Sequence, residues 1–175
     1  MLENLNYLTM KQLFKLLPFL FLCISCDEIV YYDITDDKKP LLETNDTILF
    51  YSNLNNTIDT FVIKRTDEYI VHDKKYYHEF ISCDYNSINL SKIRNSFSIQ
   101  QGESIRISSE SQYYQTIYQN DTPKTFKIDV TTYTDVFKLE RYNSTDTIPK
   151  TIYYSYKDGI IRYDYSDSLY YYRKK

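Results

Sequence analysis

Short segments in which apolar side chains alternate with polar ones follow one another along most of this chain, and no stretch sustains the three-and-four spacing of a helix. A period of two places alternate side chains on opposite sides of an extended strand. The cleanest case is residues 124–132. There Phe126, Ile128 and Val130 are expected to face a core, and Lys127 and Asp129 to face water. One packed face and one wet face is the pattern of an antiparallel sheet. Composition agrees. Alanine, the best helix former, is absent, only Gly102 and Gly159 represent glycine, and there are 21 tyrosines beside many Ile, Thr and Phe, residues that suit a pleated surface.

The alternation predicts strands over residues 47–52 and 57–65 about a turn at 53–56, and over 68–72 and 76–83 about Asp73-Lys74-Lys75. Further strands are expected over 88–93, 97–101 and 104–108; residues 113–119 are ambiguous. Residues 133–142 repeat the alternation with Phe137 and Leu139 inward, and 170–172 close the sheet. The strongest hairpin signal joins 151–156 to 160–165 through Lys157-Asp158-Gly159, where the glycine supplies the positive φ of a tight turn. The expected fold is all-β over residues 46–175, a single antiparallel sheet of eight to ten strands. Curling it into a half-barrel or barrel protects its edges.

The N-terminus reads differently. Residues 10–26 are MKQLFKLLPFLFLCISC: Lys11 and Lys15, then an apolar run over 16–24 interrupted only by Pro18. Nine residues are too few to span a bilayer, which takes about 20, but they suit the apolar region of a signal peptide. Residues 1–9 carry Glu3 and no base, so Met10 is the better start. The run ends in Ile24-Ser25-Cys26, a small residue followed by a cysteine; Cys23 follows Leu22 and fails that test. The segment resembles the lipobox of bacterial lipoproteins, with Cys23 where Leu, Ile or Val is usual. Residues 1–25 are thus expected to be a signal peptide. Cys26 is the expected lipidation site, and 26–45, rich in acids and lysines and containing Pro40, a tether.

Three pieces carry a wider resemblance: Cys26-Asp27-Glu28, NDTILFYSNLNNTIDTFVI, and TIYYSYKDGIIRYDYSD near the C-terminus. Together they resemble small outer-membrane lipoproteins of Bacteroidota-type bacteria. The resemblance implies export, attachment to the outer membrane through a lipid on Cys26, and a β-sheet; it implies no activity. In that group acids after the lipidated cysteine can direct export to the cell surface, which would be the role of Asp27 and Glu28. The group also O-glycosylates Asp-Ser/Thr followed by a small or aliphatic residue. That pattern matches Thr47, Thr147 and Ser168, although the same dipeptide is ordinary turn chemistry.

Cleavage before Cys26 removes 25 of the 175 residues and leaves 19 basic against 23 acidic side chains. A net charge of that sign argues against nucleic acid as a partner. With Cys26 acylated, Cys83 has no disulfide partner. Flanked by Glu79 and Asp84 rather than by bases, it reads as a buried thiol rather than a nucleophile. His72, His78 and Glu79 form the one conceivable zinc set, but no Cys or third His completes it, so no metal and no cofactor are expected. The two glycines are too far apart for a phosphate-binding loop. Tyrosine runs at 76–77, 113–114, 153–154 and 170–172 place phenols on both faces of strands. One face serves the core. The other offers stacking surface to a glycan or protein, or simply stiffens the sheet through cross-strand pairs. The function expected is therefore a lipid-anchored, non-enzymatic binding or presentation module. A small hydrolase or glycan-processing accessory, and a carrier of an apolar ligand inside the curled sheet, are the alternatives. A flat tyrosine face, a cleft with two facing carboxylates, or a wide apolar cavity would distinguish the three.

Overall fold

The computed structural model describes residues 28–55, 57–88, 96–102, 104–110, 112–118, 120–141 and 148–174. Among them there is no helix. Thirteen strands occur: β1 (Val30–Tyr32), β2 (Thr47–Ser52), β3 (Ile58–Asp73), β4 (Tyr76–Ser87), β5 (Ser96–Gln101), β6 (Ser104–Ser109), β7 (Gln112–Tyr113), β8 (Ile117–Tyr118), β9 (Lys124–Ile128), β10 (Thr131–Glu140), β11 (Thr151–Ser155), β12 (Gly159–Asp164) and β13 (Tyr170–Arg173). They form one sheet in the order β7-β6-β5-β4-β3-β2-β13-β12-β11-β10-β9, curled into a half-barrel, with β8 on β6. Every pairing is antiparallel except that of β1 with β4. The count exceeds the eight to ten expected because β1, β7 and β8 hold two or three residues each. Pieces that short leave no alternation to read. The strand expected over 88–93 lies, apart from Ile88, outside the described residues.

Two meanders, β2–β6 and β9–β13, meet where β13 pairs β2. The far ends approach through residues 114–115: the Tyr114 amide donates to the Ile107 carbonyl on β6 (3.0 Å), Tyr114 bridges Arg141, and the Gln115 amide reaches Glu140 on β10 (3.2 Å). Fully buried side chains fill the curl. Phe50, Phe61, Tyr85, Phe97 and Tyr163 are at most 1% exposed and pack with ring centroids 5.1–6.5 Å apart. Buried phenols need partners, and these have them. Tyr163 donates to Asp59 (2.8 Å), Tyr154 to Gln101 (3.3 Å) and Tyr114 to the Pro149 carbonyl (2.6 Å), while Tyr85 accepts from the Ile160 amide (3.1 Å).

Several sequence expectations are corrected. Val130 is not on the packed face; it is 87% exposed, because Asp129 (φ 53°) and Val130 form the two-residue turn between β9 and β10. Aspartate tolerates that left-handed conformation better than most residues. A second positive φ, at Asp135 (55°), falls in a bulge in β10. The bulge sends Tyr133 and Val136 into a small cluster with Ile128 and Ile161, while Phe137 and Leu139 stay in the main core. Residues 68–72 are not a separate strand, since β3 runs unbroken to Asp73.

The stretch 26–45, expected to be a tether, is built onto the sheet in its described part. β1 lies within it, Leu42 is 4% exposed in the core, and Pro40 is buried. Its backbone is held from β4, from β5 and from the turn between β11 and β12: the Ile34 amide by Glu79 (2.8 Å), the Lys38 carbonyl by Gln101 (2.6 Å) and the Leu41 amide by the Lys157 carbonyl (3.0 Å).

Candidate functional site

On the outer face of β2, β13, β12, β11 and β10, the strand register lines up side chains from five neighbouring strands. Tyr51 is opposite Tyr172, Tyr172 opposite Arg162, Arg162 opposite Tyr153, and Tyr153 opposite Lys138. Directly opposed residues share a face, so the five form a row roughly 19 Å long at the usual strand spacing. Local alternation puts them there: Phe50, Tyr154 and Tyr163, their sequence neighbours, point into the core.

Cations lie between the rings. The Arg162 guanidinium is 3.7 Å from the Tyr170 ring centre, 5.2 Å from that of Tyr153 and 5.8 Å from that of Phe126. Phe126 and Tyr153 stack at 4.5 Å. Lys174 sits 4.8 Å over Tyr51 and 5.7 Å from Tyr172. Asp164 grips Arg162 through two hydrogen bonds (2.6 and 3.0 Å), which fixes the guanidinium in the row. Phe126, Tyr153 and Tyr172 pack against the small cluster of Ile128, Tyr133, Val136 and Ile161 and are half-buried, so part of each ring remains exposed. Partial burial raises the Tyr153 hydroxyl's pKa, with Asp164 adding to the rise and Arg162 opposing it. The row therefore presents phenol rings around fixed cations, a surface suited to stacking and hydrogen bonding.

A cleft of about 650 Å³ lies elsewhere, between residues 32–38 and β4, β5 and β6. Two carboxylates border it, but both are engaged within the fold. Glu79 accepts from the Ile34 amide at Oε2 (2.8 Å) and pairs with Lys39 at Oε1 (2.9 Å), and Asp33 accepts from the Tyr69 hydroxyl (2.6 Å). The last bond holds the Tyr69 hydroxyl at a pKa of about 12. These groups fasten residues 33–39 to β3 and β4.

The residues singled out from sequence are not gathered into one place. The signal peptide expected over 1–25, with Cys26, Asp27 and Thr147, lies outside the described residues. Glu28 is exposed just ahead of β1. Thr47 is exposed at the start of β2, whereas Ser168 is exposed in the turn before β13, its carbonyl held by Asn53 just past the other end of β2. His78 stacks on Tyr32 at 4.7 Å while Glu79 points to the opposite face; the His72 side chain is outside the described set. Among the described residues no group of three His, Cys, Asp or Glu is placed to hold a metal. Cys83 is buried opposite Arg65, and burial pushes its thiol up to about 11 against the milder opposing effect of that arginine. Of the row, sequence signals only Tyr153 and Tyr172, through their tyrosine runs. Tyr51, Lys138 and Arg162 join it through register, which no local pattern displays.

The chain matches no protein-family model, no curated protein and no solved structure. The function must therefore be argued from the chemistry of the site.

Proposed function

We propose that the protein is an outer-membrane lipoprotein anchored through Cys26, whose β domain binds a glycan chain along the outer-face row and catalyses nothing. The observation that carries this is the row itself, in which Tyr51, Tyr172, Arg162 and Tyr153 stand side by side on consecutive strands. Ring faces suit the apolar faces of sugar rings. Arg162, Asp164, Lys138 and Glu140 add hydrogen-bonding groups along the same line, and Lys138 and Glu140 are themselves paired at 2.6 Å. The carrier reading is disfavoured by an interior already filled with aromatic side chains. The hydrolase reading is disfavoured by the structural commitments of Glu79 and Asp33.

The test is to probe the full chain, lipid attached and held in detergent, against bacterial surface polysaccharides and host glycans, with bound sugar analysed for cleavage. Retention of intact glycan supports the proposal. Shortened chains would favour the hydrolase, and capture of a membrane protein without any glycan would assign the row to a protein partner.

A further inference from the structure

The β3–β4 hairpin continues past its neighbours. β2 pairs β3 only as far as Val62, and β5 pairs β4 only from Ile81. Beyond them residues 69–73 and 76–79 run on by roughly 17 Å, accompanied on one edge by β1. In this projection both faces carry exposed apolar and aromatic side chains. Tyr31, Tyr69 and Val71 are 48–56% exposed on one face. Tyr32 and Ile70, at 48% and 44%, occupy the other, and Tyr76, at 40%, stands beside the apex. The rings pack on one another, Tyr31 against Tyr69 and Tyr77 at 5.2 Å each and Tyr32 against Tyr76 at 6.1 Å, with no core beneath them. Lys74 and Lys75 form the apex turn.

The chain's path says what covers this patch. The Val30 amide donates to the Lys75 carbonyl at 2.9 Å, so β1 starts against the apex turn. Cys26 is four residues before Val30, a reach of at most roughly 14 Å. We infer that the apex of the β3–β4 hairpin, with β1, is a foot seated in the interface of the bilayer that holds the acyl chains of Cys26; this rests on the lipidation reading given above. Tyrosines at headgroup depth keep their rings in an apolar layer and their hydroxyls in water, and lysines at the apex meet anionic headgroups. A hairpin that exposes aliphatic and aromatic side chains on both faces is poorly suited to water and well suited to that layer. The foot gives the domain a fixed seat rather than a swinging one.

The chain has no tryptophan, so a single one reports without background. Val71→Trp places it in the foot, and Val130→Trp places it in the exposed β9–β10 turn, away from the foot. Both positions are solvent-exposed, so neither substitution burdens the core. Each full-chain variant is purified with its lipid and measured first in detergent for acyl mass. It is then reconstituted into vesicles of phosphatidylethanolamine and phosphatidylglycerol. The expected result is a blue shift and a severalfold loss of acrylamide quenching for Val71→Trp on the vesicles, together with quenching by brominated lipid. Val130→Trp should stay open to acrylamide. Acylated Val71→Trp protein whose indole remains as open to acrylamide as that of Val130→Trp overturns the foot alone. A protein without acyl mass overturns the anchoring on which the foot depends.

Discussion

The hydroxyl of Tyr85 lies where a Cβ on Gly159 would have to be. Gly159 opens β12 at φ 72°, and the Tyr85 side chain reaches across the core from β4 to place its hydroxyl there, where it accepts a hydrogen bond from the Ile160 amide at 3.1 Å. Leu42 Cδ1 closes the same space. Positive φ and close approach act together, so Gly159→Ala should destabilise by about 2–4 kcal/mol, and Gly159→Val by more. Tyr85→Phe should cost about 1–3 kcal/mol by leaving the buried Ile160 amide unpaired. In the double variant the two costs should fall short of additivity by about 1 kcal/mol, since the hydroxyl no longer competes for the space. Denaturant unfolding of the wild type, Gly159→Ala, Tyr85→Phe and the double variant measures this. Strict additivity would separate the two residues.

Stability should collapse in alkali. Burial raises the hydroxyl pKa of Tyr85, Tyr114, Tyr154 and Tyr163 above the ordinary value, and Asp59 adds to the rise at Tyr163. A folded pKa above the unfolded one favours the neutral phenol in the fold. The stability it contributes is fully present below about pH 10, where unfolded tyrosine titrates, and is lost as the pH rises towards the folded values. Tyrosinate absorbance and circular dichroism followed together should show these hydroxyls ionising in one cooperative step with loss of the sheet. Smooth titration of every tyrosine with the sheet intact would refute it.

Labelling with an alkyne fatty acid should tag the wild type and Cys83→Ser but not Cys26→Ala. Each buried methylene adds about 0.8 kcal/mol, and more than one chain is needed for stable anchoring. Equal labelling of Cys26→Ala would place the lipid elsewhere or nowhere.

Local pattern carries the sheet but not its margins. The limits of β2 match the expected 47–52, and Gly159 takes the positive φ its turn chemistry requires, although the turn itself is residues 156–158 and Gly159 already opens β12. Both depend on near neighbours only. Val130 defeats the pattern because alternation cannot show where a strand turns back on itself, and Asp129 gives only a weak turn signal. β1 is hidden in a stretch of acids and lysines because its three residues are specified by the β4 edge, not by their own pattern. The row is half visible: tyrosine runs promise aromatic faces, yet the position of Arg162 between Tyr172 and Tyr153 comes from pairing among β11, β12 and β13.

The proposed binding of a glycan along the row is tested most directly by affinity for whichever polysaccharide the wild type retains, measured for Tyr153→Ser, Arg162→Ala and, as a control at the β3–β4 hairpin, Tyr69→Ser. All three positions are on the surface or half-buried, so the folds are checked by circular dichroism at the outset. The row predicts at least about a tenfold loss, ~1.4 kcal/mol, for each of the first two variants and unchanged affinity for Tyr69→Ser. Undiminished affinity in folded Tyr153→Ser and Arg162→Ala would contradict it.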